Sequence, residues 1–392
     1  MSPENFIQYG KQSISEEDVA AVAEVLRSSF LTQGPITDSF ERSIANYCGS
    51  KFAVSVNSAT SGLHLALLAI GVGNGDLVWT SAITFVATSN AALNCGAAID
   101  FVDIHAQTFN ISVPALRFKL EAAQAQKKLP KVLIVVHMGG LCAEMAEIDA
   151  LSQEFGFEVI EDASHAVGAS YGGVKVGACQ FSRLCIFSFH PVKIITTAEG
   201  GMITTNDENL SKRLLKLRTH GIVRNNGQAN LDESELWNYY QDELGHNFRM
   251  SELHAALGLS QSKNIDSFVD TRNKIAQVYR HKLANAPIAF QSWQYDSYSS
   301  YHLMIIRLDL DKIEMSKVQI YNQFLHNGIQ ANFHYIPVYR HPYYERLGFK
   351  KGYCAEAEAY FQDALSIPLH PSLKENEIEK TIHTLEKALV GA

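Results

Sequence analysis

The sequence SFHPVKIITTAEGG, residues 188–201, places one lysine where an apolar strand passes into a turn rich in Thr, Glu and Gly. Lys193 lies between two apolar runs, residues 186–189 and 194–195. Desolvation at such a place disfavours the ammonium form and lowers the lysine pKa, which leaves a free amine able to act as a nucleophile. Most lysines instead lie on the surface with their charge in water. The nucleophile hypothesis therefore depends on the residues that the fold brings to Lys193.

Length and composition set the class of protein. Of the 392 residues, 46% are apolar and 19% are charged, which is the balance of a folded globular protein. That length exceeds one ordinary core, so we predict a large domain over residues 1–265 and a smaller α+β domain over residues 266–392. The net charge of −8 provides no general attraction to nucleic acid or to an anionic membrane. We therefore expect neither as a partner.

Neither export nor metal binding is indicated. Residues 1–6 show no basic segment followed by an apolar one, and no apolar run reaches the roughly eighteen residues of a membrane helix. The six cysteines form no CxxC pair, which argues against a zinc site and a disulfide framework. The fifteen histidines include no HExxH motif. We expect a cytoplasmic protein with reduced thiols and no metal.

Strand and helix patterns alternate along the first half of the chain. Strands are predicted at residues 52–56, 77–80, 99–104, 132–137, 158–161 and 184–189. Helices are predicted between them, at residues 63–70, 85–93, 114–124 and 148–155. This alternation indicates parallel crossover connections, with helices on both faces of a twisted α/β sheet. Ligands of such sheets bind outside the carboxyl ends of the strands.

The two ends of the chain follow other patterns. A capping box at Ser15 predicts a first helix that ends near Ser28. Its apolar face comprises Val19, Val22 and Leu26. Beyond residue 265 we predict helices at residues 265–283, 318–327, 354–364 and 375–389, and strands at residues 301–308 and 329–335. The acidic segment at residues 227–243 is interpreted as a solvated loop, with a mobile loop at a dimer edge as the alternative.

Four features lie at the predicted carboxyl ends of the strands. Residues 57–61 are small and polar and lead into a helix, so they either cap that helix or offer its N–H groups to a phosphate. Phe85, Asp162 and Lys193 follow three further strands. Pyridoxal 5′-phosphate requires this combination, namely a Schiff-base lysine, an acid for its ring nitrogen and an anion site. The sequence therefore predicts a pyridoxal phosphate enzyme.

Eight short motifs carry a resemblance to a known family. They are YGKQ at 9–12, LTQG at 31–34, NSATS at 57–61, TFVAT at 84–88, EDASHA at 161–166, SFHPVK at 188–193, GHNFRMSE at 245–252 and HYIP at 334–337. With these motifs the chain resembles, over nearly its whole length, the DegT-type sugar-nucleotide aminotransferases. The resemblance implies fold type I, in which a large domain with a mostly parallel sheet is joined to a smaller C-terminal α+β domain.

The resemblance also implies roles for individual residues. Lys193 would hold pyridoxal phosphate as a Schiff base, Asp162 would pair with its ring nitrogen, and His165 would lie near its ring hydroxyl. The other expected cofactor contacts are Ala59, the backbone amides of Thr60 and Ser61, the ring faces at Phe85 and Ser164, the Ser188 hydroxyl, and Asn247 reaching in from a partner subunit of a homodimer with shared active sites. The expected substrate contacts are Tyr9, Ser29, Phe30, Leu31, Thr32, Ala59, Phe333, His334, Tyr335 and Ile336, with Arg249 as the candidate for the diphosphate.

The implied reaction is transfer of an amino group from L-glutamate to a nucleotide-linked 4-keto-6-deoxy sugar, for pseudaminic acid or other surface glycan synthesis. The expected acceptor is UDP-2-acetamido-2,6-dideoxy-β-L-arabino-hex-4-ulose, and another UDP- or dTDP-linked keto sugar is the alternative. A dehydratase of the same family is disfavoured, because those proteins carry histidine at the position of Lys193. The complete set of lysine, aspartate and phosphate residues disfavours a non-enzymatic regulator.

Overall fold

The computed structural model describes residues 6–223 and 237–390. Its strands are β1 (Phe52–Val56), β2 (Leu77–Ser81), β3 (Ala98–Val102), β4 (Val132–Val136), β5 (Glu158–Asp162), β6 (Ser170–Tyr171), β7 (Val174–Lys175), β8 (Leu184–Ser188), β9 (Gly201–Thr205), β10 (Ile222–Val223), β11 (Tyr240–Gln241), β12 (Ile288–Phe290), β13 (Ser297–Tyr298), β14 (Met304–Leu308) and β15 (Ala364–Ile367).

Its helices are α1 (Glu16–Arg27), α2 (Pro35–Cys48), α3 (Ala59–Ala69), α4 (Val86–Asn94), α5 (Val113–Ala125), α6 (Met145–Phe155), α7 (Glu208–Leu217), α8 (Glu252–Ser262), α9 (Ile265–Lys282), α10 (Lys317–His326), α11 (Pro342–Arg346), α12 (Ala355–Asp363) and α13 (Glu375–Val390). Among the described residues, none of these helices is both long and apolar enough to cross a membrane. The expected cytoplasmic location stays a prediction.

A seven-stranded sheet with the order β1-β9-β8-β5-β4-β2-β3 forms the centre of the fold. Its strands β3, β2, β4, β5 and β8 pair in parallel, whereas β9 is antiparallel to both β8 and β1. The connection from β8 to β9 contains no helix that could cross the sheet, so the chain turns back antiparallel. The mostly parallel sheet with helices confirms the predicted α/β fold class.

This strand order positions the site. Because β9 runs against both of its neighbours, the carboxyl ends of β1, β2, β4, β5 and β8 lie at one edge of the sheet. Gly201, at the start of β9, is paired there with Val56 on one side and with Ser188 on the other. The helix α3 and the turn that carries Lys193 therefore begin next to each other.

A second sheet, β12-β14-β15, packs with α9, α10 and α13 around Tyr279, Phe324 and Leu385. The division of the chain at residue 265 stays a prediction. Tyr339 and Tyr344, which come later in the chain, pack their rings against Phe101 of the central sheet.

Three details of the sequence-based prediction are wrong. Residues 329–335 form no strand, because Ile329 and Asn332 make only isolated bridges. Residue 364, the last of the helix predicted at residues 354–364, instead begins β15, which pairs with β14. The α1 face with Val19 and Leu26 is exposed, while α1 buries Val25 together with Asp18 of its capping box. Of the predicted loop at residues 227–243, residues 227–236 lie outside the described residues.

Candidate active site

The helix α3 follows the carboxyl end of β1, as predicted, but it begins at Ala59 and not at residue 63. Ser58 is its N-cap and accepts a hydrogen bond of 3.1 Å from the backbone N–H of Ser61. The Ser61 hydroxyl donates to Asn57 Oδ1 over 2.7 Å. Ser58 therefore caps the helix, residues 59–61 begin its first turn, and the positive end of its dipole faces the cavity that Ala59 and Thr60 line.

Lys193 follows β8 in a tight turn, where its backbone N–H donates to the His190 carbonyl over 2.9 Å. Lys193 is half-buried and lines the cavity described below. Desolvation lowers the pKa of its ammonium to about 8, although the negative charge of Asp162 acts in the opposite direction. A substantial fraction of the lysine is therefore the neutral amine at mildly alkaline pH.

Asp162 ends β5 and is only 5% exposed. Its Oδ1 accepts hydrogen bonds from the Ser164 hydroxyl at 2.6 Å and from the Ser164 backbone N–H at 3.1 Å. Its Oδ2 accepts from the Thr88 hydroxyl at 2.7 Å. These donors compensate the burial of the carboxylate charge.

His165 lies between a backbone donor and a phenol. Its Nδ1 accepts the Gly139 N–H at 3.3 Å, so its proton lies on Nε2, which is 3.1 Å from the Tyr335 hydroxyl oxygen. Burial, with Lys193 and His334 nearby, holds the pKa of His165 well below its usual range. Burial likewise raises the pKa of Tyr335, so both groups are neutral hydrogen-bonding partners at neutral pH.

These residues surround one cavity of about 360 Å³. The sequence-predicted residues that line it are Tyr9, Ala59, Thr60, Phe85, Asp162, Ser164, His165, Ser188, Lys193, Phe333, His334 and Tyr335. Phe85 lies at its mouth, 57% exposed, with its ring centroid 5.9 Å from that of Tyr335. The carboxyl ends of the strands thus bring the predicted lysine, carboxylate, aromatic ring and helix N-terminus to one place.

Other predicted residues lie outside the cavity wall. They are Ser29, Phe30, Leu31, Thr32, Ser61, Asn247, Arg249 and Ile336. Two of these segments are joined to each other, since the Glu252 N–H donates to the Leu31 carbonyl over 2.9 Å and Thr32 forms a bridge with Ser251. Asn247 is exposed, and its neighbour Phe248 accepts the Asn57 N–H at 2.9 Å.

The cavity also has walls that sequence reasoning missed. They include Thr88, His190, Glu199, His302 and Asn332. Thr88 belongs to the TFVAT motif, one helical turn after Phe85, so a helix begun at Phe85 could have placed it on the same side. No sequence motif pointed to His302, because it lies just before β14, far along the chain from the strands that form the site. Its ring centroid is 4.4 Å from that of His165.

The site fits pyridoxal phosphate. The Lys193 amine can form a Schiff base, the Asp162 carboxylate can pair with a ring nitrogen, and the N-terminus of α3 can receive a phosphate.

Comparison with known proteins agrees with this geometry. The sequence profile of the DegT/DnrJ/EryC1/StrS aminotransferase family matches residues 12–386. The UDP-4-amino-4,6-dideoxy-N-acetyl-β-L-altrosamine transaminase of Campylobacter jejuni (strain 81-176) is 36% identical over 370 residues, which are 94% of this chain and 93% of that protein. The spore coat polysaccharide biosynthesis protein SpsC of Bacillus subtilis is 34% identical over 391 residues, 99% of this chain and 98% of its own.

Solved structures give the same result. Helicobacter pylori PseC, an aminotransferase involved in the biosynthesis of pseudoaminic acid, has a TM-score of 0.89 at 30% identity and covers 99% of this chain and 100% of its own. The PLP-form of the sugar aminotransferase Spr1654 from Streptococcus pneumoniae has a TM-score of 0.87 at 28% identity, over 98% of this chain and 99% of its own. The chain therefore belongs to the DegT/DnrJ/EryC1/StrS aminotransferase family and is a pyridoxal phosphate-dependent transferase of fold type I.

Proposed function

We propose that this member of the DegT/DnrJ/EryC1/StrS aminotransferase family transfers the amino group of L-glutamate to a nucleotide-linked 4-keto-6-deoxy sugar. The observation that carries the proposal is the lysine of lowered pKa beside a hydrogen-bonded carboxylate in one cavity. The same lysine disfavours the dehydratase alternative. Retention of the whole set disfavours a protein that only keeps the fold.

Each residue of the set has a proposed task. Bound pyridoxal phosphate supplies the electron sink that amino transfer requires. The Lys193 amine holds the cofactor between turnovers and then moves a proton to and from the substrate carbon, for which a pKa of about 8 is well matched. Asp162 holds the proton on the ring nitrogen. His165, which is neutral, donates from Nε2 and orients the Tyr335 hydroxyl.

We propose UDP-2-acetamido-2,6-dideoxy-β-L-arabino-hex-4-ulose as the acceptor, and the 36% identical C. jejuni transaminase supports this choice. The cavity offers aromatic walls at Phe333 and Tyr335 for the faces of a sugar ring. Phe333 is itself held in place, since the Lys317 ammonium lies 4.2 Å from its ring centroid. Another UDP- or dTDP-linked keto sugar is the second candidate.

We also propose a homodimer with shared active sites. Asn247 is exposed and does not line the cavity of its own chain, so its proposed phosphate contact requires a second subunit. Phe85 is exposed at the cavity mouth, where a second chain could cover it. The nucleotide is proposed to extend beyond the cavity and to contact Ser29, Phe30, Leu31, Thr32 and Arg249. The bridge between Thr32 and Ser251 joins the two segments that carry these residues.

The test is a panel of UDP- and dTDP-linked 4-keto sugars incubated with L-glutamate and the holoenzyme. Mass spectrometry of the sugar nucleotide and an assay for 2-oxoglutarate detect the two products, and the Lys193→Ala protein is the matched control. The proposal predicts equimolar amino sugar and 2-oxoglutarate, with the highest kcat/KM for the UDP-linked acceptor. Preference for a dTDP sugar would overturn the proposed acceptor, and turnover by Lys193→Ala would overturn the role of that lysine.

A further inference from the structure

Two buried threonines at the start of α4 line the cavity beside Asp162. Thr84 is 2% exposed and Thr88 is 0% exposed. Their hydroxyl oxygens are 2.7 Å apart, and the Thr88 hydroxyl is also 2.7 Å from Asp162 Oδ2. Thr84 and Thr88 therefore form a chain of two hydroxyl groups that ends on the carboxylate.

The direction of the protons in this chain follows from the chemistry of its end. An ionised carboxylate only accepts hydrogen bonds, so the Thr88 hydroxyl donates to Asp162. Thr88 has then used its single proton, and its oxygen accepts from the Thr84 hydroxyl. The chain thus has one polarity, from Thr84 through Thr88 to Asp162.

The opposite oxygen of Asp162 is held by a different element. Ser164 bonds Oδ1 with both its hydroxyl and its backbone N–H. The carboxylate is therefore hydrogen-bonded from two elements. Its Oδ2 is bonded by α4, and its Oδ1 is bonded by the turn after β5. Removal of the Thr88 hydroxyl would leave Oδ2 without that donor and would let the carboxylate plane rotate about the side chain.

We propose that Thr88 is a positioning residue that sets the orientation of the Asp162 carboxylate toward the ring nitrogen of pyridoxal phosphate, with Thr84 as its support. The inference rests on the proposed pairing of Asp162 with that nitrogen. Thr88 acts through Asp162, because its hydroxyl donates its single proton to Asp162 and its oxygen accepts from Thr84. Its contribution should therefore depend on the presence of a nitrogen in the bound ring.

The experiment compares two ligands on the apoenzyme. One is pyridoxal phosphate, and the other is its analogue with a C–H group in place of the ring nitrogen. Dissociation constants are measured for the unchanged protein and for Thr88→Val, which has nearly the same shape without the hydroxyl. Thr88→Ser keeps the hydroxyl and is the matched control. Thermal unfolding of each apoenzyme reports separately on its stability.

For Thr88→Val we expect pyridoxal phosphate to bind about tenfold to a hundredfold more weakly. This is the range for loss of one hydrogen bond to a charged group, here the proposed bond between Asp162 and the ring nitrogen. The dissociation constant of the analogue should change less than about threefold, because no ring nitrogen is there to be oriented. Thr88→Ser should retain the preference for pyridoxal phosphate, and Thr84→Val should lose a smaller part of it. Equal weakening for both ligands in Thr88→Val, or no weakening for either, overturns the inference.

Asp162→Asn separates this inference from the one on which it rests. If that variant loses the preference for pyridoxal phosphate while Thr88→Val keeps it, Asp162 pairs with the nitrogen without help from Thr88, and the inference is wrong. If Asp162→Asn keeps the preference as well, the proposed pairing itself is wrong. Loss in both variants, with retention in Thr88→Ser, supports both steps.

Discussion

Replacement of Gly201 with alanine is expected to weaken pyridoxal phosphate binding while the protein stays folded. Gly201 begins β9, beneath the N-terminus of α3. A Cβ atom added there would lie 2.7 Å from the Ala59 nitrogen, 2.8 Å from the Ser58 carbonyl carbon and 2.9 Å from the Ala59 Cα. All three are backbone atoms, so no side-chain rotation can relieve the overlap.

The size of the effect follows from these distances. Ordinary contact of a Cβ atom begins near 3.4 Å, so the first residues of α3 must move by roughly half an ångström or more. Overpacking of this kind costs ~1–3 kcal/mol of stability. If the shift breaks one hydrogen bond from α3 to the phosphate, ~1.5–3 kcal/mol of binding free energy is lost. The dissociation constant should then rise about tenfold to a hundredfold.

Titration of the apoenzyme with pyridoxal phosphate, followed by absorbance, measures this constant. Gly73→Ala is the matched control, because an added Cβ meets nothing within 4 Å there. Neither glycine has the positive φ that would strain alanine. We expect Gly73→Ala to change neither affinity nor melting temperature. If Gly201→Ala lowers stability but leaves the dissociation constant unchanged, the phosphate does not bind at the N-terminus of α3 and the reasoning is refuted.

Two further predictions concern pH and the second subunit. In the apoenzyme the Lys193 pKa is lowered to about 8, below its ordinary value of 10.5, so the unfolded chain binds more protons between these pH values. Lys193 should therefore raise the free energy of unfolding by up to ~3 kcal/mol between pH 8 and pH 10.5. Urea titrations at both pH values should show a change that is smaller by this amount in Lys193→Met than in the unchanged protein; an equal change in both proteins would contradict the assignment. Asn247→Ala should weaken pyridoxal phosphate binding about tenfold with the dimer intact by sedimentation, as expected for one lost hydrogen bond to phosphate. Unchanged affinity in an intact dimer would remove the shared-site proposal.

Local patterns predicted the strand ends that build the site. The strand β1 has the predicted bounds, because Phe52–Val56 is followed at once by small polar residues that cap α3. Asp162 and Lys193 could be placed at one sheet edge because parallel strands end together. The strand β9 was not predicted, because it is short, begins with a glycine that follows another glycine, and reverses the direction of the sheet.

Other parts depend on contacts between distant segments, which no local pattern contains. Residues 329–335 have the partly apolar sequence of a strand, but Asn332 forms only an isolated bridge with Ser366, and the neighbouring residues do not continue it into a paired strand. His302 reaches His165 because the second sheet packs beside the first. The buried face of α1 also depends on a distant residue. Gln261 and Ser15 donate hydrogen bonds to Asp18, so the side of α1 that carries Asp18 is buried and the apolar face is exposed.

The most direct test of the account is the chemical location of the bound cofactor. The holoenzyme is reduced with sodium borohydride, digested, and mapped by mass spectrometry for a pyridoxyl group on lysine. We expect this group on Lys193, in the peptide that contains residues 188–201, and we expect L-glutamate added before reduction to diminish it. A pyridoxyl group on another lysine, or on none, would show that Lys193 is not the residue that holds the cofactor.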